Sequence, residues 1–301
     1  MAIWDAEIEV GEELAARLIR VQLAPLPARR VALLSAGWDY VVHRVDDEWV
    51  FRFPRRSVVM PATERELAVL PQLASILPVS LPEPTHVGRP SAEYPWPFYG
   101  SRFLPGVEAG EAELSEDERI ALARPLARAL RSLHAPETLA AVGSLLPVDP
   151  IGRADTAVRV PKTREALDEV AALGLFEPPP EAEEILAAAG ALPAADPSAV
   201  CHGDLHFRQL LVEGGELGGI IDWVDLCRSD PGVDLQLLWS FLPPAGRVAF
   251  LDEYGEVPEH SLLRARLVAL FLCAILARYG HVEGLARIEA EALAGLRRTV
   301  G

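Results

Sequence analysis

Two neighbouring segments, residues 201–212 and 219–223, limit the possible folds of this chain more than any other feature. They read CHGDLHFRQLLV and GIIDW: a polar loop, a short apolar run, a glycine turn and a second apolar run. Two β-type runs joined by glycines predict a hairpin. A hairpin of this length returns Asp222 to the loop that contains Asp204. The sequence therefore predicts two carboxylates at the mouth of one apolar hairpin.

Two carboxylates in this position suit a divalent metal ion together with a catalytic base, because Mg²⁺ binds one or two carboxylates along with substrate phosphates. A different metal chemistry is also open. His202, Asp204 and His206 could instead bind a transition metal in a hydrolase, although His206 more often packs or hydrogen-bonds within such a loop. The pattern of residues does not by itself decide between the two.

The complete pattern, H-G-D-L-H-x-x-x-L-L-V followed by I-I-D-W and D-P-x-x-D-L, resembles the aminoglycoside phosphotransferase family, which has a protein-kinase-like fold. Kinases have a catalytic-loop aspartate and an amide residue five positions later, and Asp204 and Gln209 have this spacing. The resemblance implies that Asp204 accepts the proton of the substrate hydroxyl, and that Asp222 and Gln209 hold Mg²⁺. It implies supporting, mainly structural roles for His202, Asp230 and Asp234.

The resemblance extends over roughly residues 31–240, and its wording is closest to the aminoglycoside 2″-type and macrolide phosphotransferases. Gly37 lies in a short loop similar to the family's nucleotide loop. Arg52 occupies the strand position of the phosphate-binding lysine, and Glu66 that of the helix glutamate paired with it. The resemblance also implies a hinge between the lobes, where backbone groups near Ser101 and Phe103 would contact the base of the nucleotide.

Composition along the chain predicts two lobes. Residues 1–104 are β-rich and residues 105–301 are mostly helical. In the first lobe we predict strands at 31–35, 40–45, 49–53 and 98–104 and one helix at 63–77. Thr63 and Glu66 have the spacing of a capping box at the start of that helix. In the second lobe we predict helices at 116–134, 164–173, 181–189 and, in several pieces, 235–298.

With the resemblance, these patterns predict an α+β, bilobal protein-kinase-like fold. It has a small antiparallel-sheet N-lobe with one helix and a larger, mostly helical C-lobe. Residues 1–104 would bind the nucleotide, and residues 105–301 would supply catalysis and substrate binding. The longest apolar run, residues 267–277, is shorter than the roughly 20 residues of a membrane span. We therefore expect a buried helix there and no membrane partner.

The net charge of −16 argues against nucleic acid as a partner and suits a cationic ligand, although an acidic surface also serves solubility. The acidic N-terminus lacks the basic region of a signal peptide. Three scattered cysteines are too few for a disulfide framework, so we expect buried thiols, a cytoplasmic protein and a monomer or homodimer.

Two positions depart from the family pattern. The family usually has asparagine where Gln209 stands and often has lysine where Arg52 stands. Glutamine keeps the amide oxygen, and arginine keeps the charge but not the geometry of an ammonium. The chain has one lysine, Lys162, and no asparagine, so a chain-wide bias can account for both. A non-catalytic nucleotide-binding scaffold therefore remains an alternative to an active kinase.

The resulting hypothesis is a small-molecule O-phosphotransferase. It would move the γ-phosphate of ATP or GTP, with Mg²⁺, to a hydroxyl of an aminoglycoside- or macrolide-like compound, an antibiotic-resistance activity. A kinase of an endogenous hydroxylated metabolite is the alternative that the sequence leaves open.

Overall fold

The computed structural model describes residues 6–37 and 39–301, and these divide into two compact units. The first consists of the described residues up to Ser75 together with Leu81–Leu104, and the second of Ile76–Ser80 and Pro105–Gly301. Trp38, in the predicted nucleotide loop, and the first five residues of the acidic N-terminus lie outside the described residues.

The first unit contains a five-stranded antiparallel sheet in the order β1-β2-β3-β5-β4. The predicted strands at 31–35, 40–45 and 49–53 are confirmed, and the strand predicted at 98–104, which contains the predicted hinge, ends at Arg102. The strands are β1 (Val31–Ala36), β2 (Tyr40–Val45), β3 (Trp49–Pro54), β4 (His86–Gly88) and β5 (Phe98–Arg102), and the helices are α1 (Glu12–Gln22) and α2 (Met60–Ile76). Helix α1 adds to the one helix that we predicted. Its amphipathic pattern, with Leu18 and Ile19 buried, was present in the sequence.

Strand β3 shows why the sheet has one core face. Its side chains alternate, so that Phe51 and Phe53 are fully buried while Arg52 between them is on the opposite face. The ring of Phe53 stacks on Phe98 of β5 at a centroid distance of 4.6 Å. Each such side chain contributes about 1.5–3 kcal/mol by burial. This aromatic core fixes the strand that carries Arg52.

The predicted capping box at the start of α2 is wrong. The helix begins at Met60, directly after a 3₁₀ turn at Ser57–Val59, so Thr63 already lies inside it. The hydroxyl of Thr63 donates to the carbonyl of Val59 at 3.1 Å and lies 2.8 Å from the hydroxyl of Tyr40. Because the helix starts three residues earlier than predicted, Thr63 and Glu66 lie within its first turns, and both side chains are buried.

The second unit is mostly helical, with two small sheets. The predicted helices at 116–134 and 181–189 are confirmed, and the one at 164–173 is the C-terminal part of a longer helix. The helices are α3 (Glu116–Leu133), α4 (Pro136–Val142), α5 (Thr156–Ala172), α6 (Pro180–Gly190), α7 (Gly232–Leu235), α8 (Leu237–Ser240), α9 (Pro244–Tyr254), α10 (Glu259–Val282) and α11 (Ala286–Val300). The strands are β6 (Val107–Glu108), β7 (Ala199–Cys201), β8 (Leu210–Glu213), β9 (Glu216–Ile220) and β10 (Cys227–Ser229).

The predicted hairpin is formed by β8 and β9, which pair antiparallel with Leu210 opposite Ile220. Strand β7 pairs with β10, so that Cys201 lies opposite Cys227. All three cysteines are buried and free, as predicted. The ends of β7 and β9 open into the loops that contain Asp204 and Asp222.

Helix α10 is the central helix of the second unit and is longer than the apolar run in the sequence indicated. Among the described residues, it is the one helix long and apolar enough to cross a membrane by length and composition. Of its most apolar window, 61% is buried inside the protein, against α5, α7 and α11 among others. This burial is typical of a core helix, and the prediction of a buried helix is confirmed. The α+β fold class is confirmed as well, with an antiparallel sheet first and a mostly helical unit after it.

Candidate active site

The loop that follows β7 is fixed by hydrogen bonds from its backbone to the buried side chain of Asp234. The backbone N–H of His202 donates to Asp234 Oδ2 at 2.7 Å, and the N–H of Gly203 donates to Oδ1 at 3.1 Å. His134 Nε2 lies 3.1 Å from the same carboxylate. Burial acts to raise the pKa of Asp234, but the hydrogen bond and charge of His134, together with His202 and the N–H of Gly203, lower that pKa overall. Asp234 therefore stays ionised and fixes the loop backbone one residue before Asp204.

His202 connects this loop to the end of the hairpin. Its Nδ1 accepts a hydrogen bond from the N–H of Asp204 at 3.3 Å, and its Nε2 lies 2.9 Å from the carbonyl of Ile221. Because both ring nitrogens are engaged and the side chain is fully buried, His202 is unavailable as a metal ligand. This contact argues against the hydrolase that would use His202, Asp204 and His206.

The end of the hairpin brings Gln209 and Asp222 to the same place. The N–H of Ile221 donates to the backbone carbonyl of Gln209 at 2.9 Å, and Asp222 follows directly in a left-handed conformation with φ of 62°. Gln209 is 8% exposed, and its Oε1 accepts no hydrogen bond from any residue that the structure describes. A buried amide oxygen without a donor is costly, and a hard cation would satisfy it.

The side chain of Asp204 is 38% exposed at the edge of this loop, although protein atoms pack densely around its carboxylate. Burial, followed by the charge of Asp225, raises the pKa of Asp204 to about 7, and Asp222 and Asp234 act in the same direction. Arg153 acts against them. The local excess of negative charge fits a divalent cation close to Asp204.

His206 packs within the loop, as the sequence analysis favoured. It is 6% exposed, its Nδ1 accepts from the N–H of Arg208 at 3.3 Å, and its Nε2 lies 3.7 Å from Asp204 Oδ2. Burial, then the charges of Arg208 and His202, lower the pKa of His206 to about 3. His206 is therefore neutral at physiological pH.

Asp230 fixes the segment after β10 to the core helix. Its Oδ1 accepts from the N–H of Gly232 at 2.8 Å. Its Oδ2 accepts from the hydroxyl of Ser261 at 3.1 Å and from Nε of Arg264 at 3.2 Å. Asp230 and Arg264 are both almost fully buried. These contacts lie at the base of the loop and hold α7 against α10.

In the first unit, Arg52 and Glu66 form a buried ion pair. Arg52 Nη1 donates to Glu66 Oε1 at 3.1 Å, and the two side chains are 11% and 0% exposed. The guanidinium of Arg52 lies 4.4 Å from the centroid of the Tyr40 ring, and the hydroxyl of Tyr40 donates to Glu66 Oε2 at 3.3 Å. A cation held between a carboxylate and an aromatic face has a fixed position. The sequence did not indicate this contribution of Tyr40.

The other predicted nucleotide contacts lie at the ends of the same sheet. The N–H of Gly37 donates to the carbonyl of Tyr40 at 2.9 Å and closes the loop between β1 and β2. Ser101, in β5, is buried. Phe103 follows β5, and its N–H is bonded to the carbonyl of Glu48 at 2.8 Å. That N–H is therefore already hydrogen-bonded within the first unit. A bound nucleobase could hydrogen-bond only to other backbone groups near Phe103.

Sequence reasoning missed two residues beside Asp204. Asp225 has the largest charge effect on Asp204, and Arg153 forms an ion pair with Asp225. Arg153 is separated from Asp225 by 72 positions, and nothing in the local pattern connects them. The sequence also gave His134 no role beyond the end of its helix.

Phosphoryl-transfer enzymes of the kinase type combine a loop aspartate, a metal-binding carboxylate and amide, and a lysine–glutamate ion pair. This chain has residues of these types at the corresponding places, with Arg52 where the lysine would be. The sequence model of the phosphotransferase enzyme family (APH) matches residues 30–268 of this chain. The chain therefore belongs to the phosphotransferase enzyme family. It is an enzyme that transfers a phosphoryl group to a hydroxyl.

Solved structures give the same fold. The complex of APH(2″)-IIIa with GDP and kanamycin aligns with a TM-score of 0.65 and 23% identity, over 95% of this chain and 97% of that one. The macrolide 2′-phosphotransferase MphH from Brachybacterium faecium aligns with a TM-score of 0.60 and 23% identity, over 95% and 97%. The complex of APH(2″)-IIa with gentamicin aligns with a TM-score of 0.58 and 17% identity, over 96% of each chain. No match was found among curated proteins.

Proposed function

We propose that this enzyme is a small-molecule kinase that moves the γ-phosphoryl group of ATP or GTP to a hydroxyl of a small acceptor. The observation that carries the proposal is the arrangement of Asp204, Gln209 and Asp222 around one hairpin end. Similar structures hold GDP, ADP or ATP, which supports a nucleotide donor here. Membership of the phosphotransferase family supports the reaction class.

Asp204 aligns the acceptor hydroxyl and accepts its proton as the oxygen–phosphorus bond forms, while the bond from the γ-phosphorus to the β-phosphate oxygen breaks and the nucleoside diphosphate leaves. A pKa of about 7 suits a general base that works at neutral pH. Asp234 and His202 hold the backbone from His202 to Asp204, so little reorganisation is needed when the acceptor arrives. The protein contributes mainly position and charge, as phosphoryl transfer requires.

Asp222 and Gln209 would hold Mg²⁺. The unsatisfied oxygen of Gln209 and the negative charge around Asp204 fit such an ion. When bound, Mg²⁺ neutralises charge on the transferred phosphate. Arg52, steadied by Glu66 and Tyr40, would bind nucleotide phosphates, with backbone groups near Gly37, Ser101 and Phe103 as further nucleotide contacts.

An antibiotic is the acceptor that we favour. Similar enzymes hold kanamycin, gentamicin or streptomycin, and another is a macrolide phosphotransferase. The net charge of −16 adds long-range attraction for an acceptor with several amines. An endogenous hydroxylated metabolite is the second candidate, and a panel of acceptors separates the two. We place the enzyme in the cytoplasm, where nucleotide is available and its three thiols stay reduced.

The deciding experiment combines nucleotide binding with turnover. We expect ATP or GTP to raise the melting temperature in a Mg²⁺-dependent manner, since a ligand that binds only the folded state stabilises it. Asp204→Ala should abolish turnover and retain this nucleotide-dependent rise. Normal turnover of Asp204→Ala would contradict the assignment of the base. Nucleotide binding without any transfer, across aminoglycosides, macrolides and amino alcohols, would instead indicate a non-catalytic scaffold.

A further inference from the structure

A buried arginine joins two carboxylates next to the loop of Asp204. Arg153, just before α5, is 7% exposed. Its Nη1 donates to Asp149 Oδ1 at 3.4 Å, and its Nη2 donates to Asp225 Oδ1. The N–H of Ala154 donates to Asp149 Oδ2 at 2.9 Å and fixes this turn. Arg153 is therefore held in one position and directs its guanidinium at Asp225.

Asp225 in turn touches the loop of Asp204. Gly203 has a φ of 92°, and the backbone carbonyl of Asp225 occupies the place that a Cβ on Gly203 would need. The backbone of Asp225 thus packs against the residue immediately before Asp204. Its side chain is 35% exposed and takes its one ion pair, among the described residues, from Arg153. We therefore expect a substitution of Arg153 to displace the backbone of Gly203 through its contact with Asp225.

The other end of this connection is anchored in the core. Arg159 of α5 is 4% exposed, and its Nε donates to the carbonyl of Arg153 at 3.3 Å. Its guanidinium lies 4.1 Å from the centroid of the Phe271 ring in α10. The contacts therefore run from the core helix through Arg159, Arg153 and Asp225 to the loop.

Burying charged groups is expensive, and replacing them with apolar groups is often neutral or stabilising. Arg153 and Arg159 are not among the residues proposed to bind nucleotide, Mg²⁺ or the acceptor, so their buried charges call for a reason. The position of Arg153 offers an explanation. It faces the most acidic part of the loop, where its charge opposes those of Asp222, Asp225 and Asp234 on Asp204.

We propose that Arg153 is a positioning residue for phosphoryl transfer, which acts through Asp225 on the placement of Gly203 and Asp204. The proposal rests on the proposed role of Asp204 as the base. It requires Arg153 and Asp225 to act as one unit. Their loss should lower kcat and leave the nucleotide site, which depends on other residues, unaffected.

The test is a double-mutant cycle on Arg153→Ala and Asp225→Ala, with ATP or GTP as donor and kanamycin as acceptor. We expect each variant to lower kcat by about tenfold or more, because a small misplacement of a reacting group is costly. KM for the nucleotide should change by less than about twofold. The double variant should be no worse than the worse single variant, since residues in one network are not additive. Arg153→Lys should recover part of kcat.

Arg164 and Glu183 provide the matched control. They form an exposed ion pair at 2.7 Å, and Arg164 lies in the same helix, α5, that Arg153 precedes. Arg164→Ala and Glu183→Ala should leave kcat unchanged, because exposed pairs contribute little. An unchanged kcat in folded Arg153→Ala, or strictly additive losses in the double variant, would overturn the proposal.

A second measurement does not depend on turnover. Hydrogen exchange of the backbone N–H groups in residues 201–206 should be faster in Arg153→Ala and Asp225→Ala than in Arg164→Ala. Equal exchange in all three would overturn the proposal. If wild-type protein binds nucleotide but transfers nothing to any aminoglycoside, macrolide or amino alcohol, the proposed function has failed, and the exchange experiment still decides whether Arg153 holds the loop.

Discussion

His134 Nε2 and Asp234 Oδ2 lie 3.1 Å apart, although the two residues are separated by 100 positions in the chain. The other ring nitrogen of His134 lies 2.8 Å from the hydroxyl of Tyr254 at the end of α9. Asp234 also accepts the backbone N–H groups of His202 and Gly203, in the loop that contains Asp204. One buried histidine therefore supports the carboxylate that positions the residues before Asp204.

Loss of this histidine should cost stability. In His134→Ala, the buried carboxylate of Asp234 loses its side-chain partner, so we expect the free energy of unfolding to fall by about 3 kcal/mol. Urea unfolding measures the change. His281→Ala is the control, because His281 makes an exposed contact of 3.2 Å to Glu289. Equal effects of the two substitutions would contradict the structural role of His134.

Ionisation of Asp204, the proposed base, should lower stability as the pH rises from 3.8 to about 7. The pKa of Asp204 is about 7 in the folded protein, above its ordinary value of 3.8. Between these values the folded state binds more protons than the unfolded state, so stability falls as pH rises through this window. Asp204→Asn removes the titrating group. Its melting temperature relative to wild type should therefore be higher at pH 8 than at pH 5. A difference that is the same at both pH values would show that this carboxylate has no raised pKa.

Mg²⁺-dependent nucleotide binding should require the side-chain oxygen of Gln209. Gln209→Leu replaces the amide with an apolar side chain of similar size that has no oxygen for Mg²⁺. We expect it to lose most of the Mg²⁺-dependent part of the nucleotide-induced rise in melting temperature. Gln209→Asn, which restores the residue usual in the family, should retain more of it. If the leucine variant responds to Mg²⁺ like wild type, Gln209 is not a metal ligand.

Nucleotide affinity should depend on the planar shape of the Arg52 side chain as well as on its charge. Arg52→Ala removes a cation held by Glu66 and by the face of Tyr40, and should weaken nucleotide binding by about tenfold or more. Arg52→Lys keeps the charge but has no planar fork, so it should recover the affinity only in part. Titration calorimetry with ATP or GTP and Mg²⁺ measures both. Arg17→Ala is the control, because Arg17 pairs with Glu93 at the surface. A loss of affinity as large in Arg17→Ala would show that the effect is not specific to the Arg52 position.

The candidate site was predictable where its parts are close in sequence. Asp204 and Gln209 lie in one loop, and a two-stranded hairpin returns Asp222 to it, so local pairing was sufficient to join the three. The strand that carries Arg52 was also predictable, because its alternating aromatic residues show which face is buried. The capping box at Thr63 failed because the same two residue types, Thr63 and Glu66, can face inward once the helix starts earlier.

The sequence by itself determined the reaction class and the hairpin, and it indicated Asp204, Gln209 and Asp222 as candidate site residues. Only the tertiary structure decided what supports them: His134 behind Asp234, and Arg153 behind Asp225. These pairs join segments 100 and 72 positions apart. Strands and hairpins follow from backbone geometry and from hydrogen bonds between residues close in the chain, so a short segment of sequence is enough to predict them. Long-range pairs follow from which helices pack together, and that depends on the whole core.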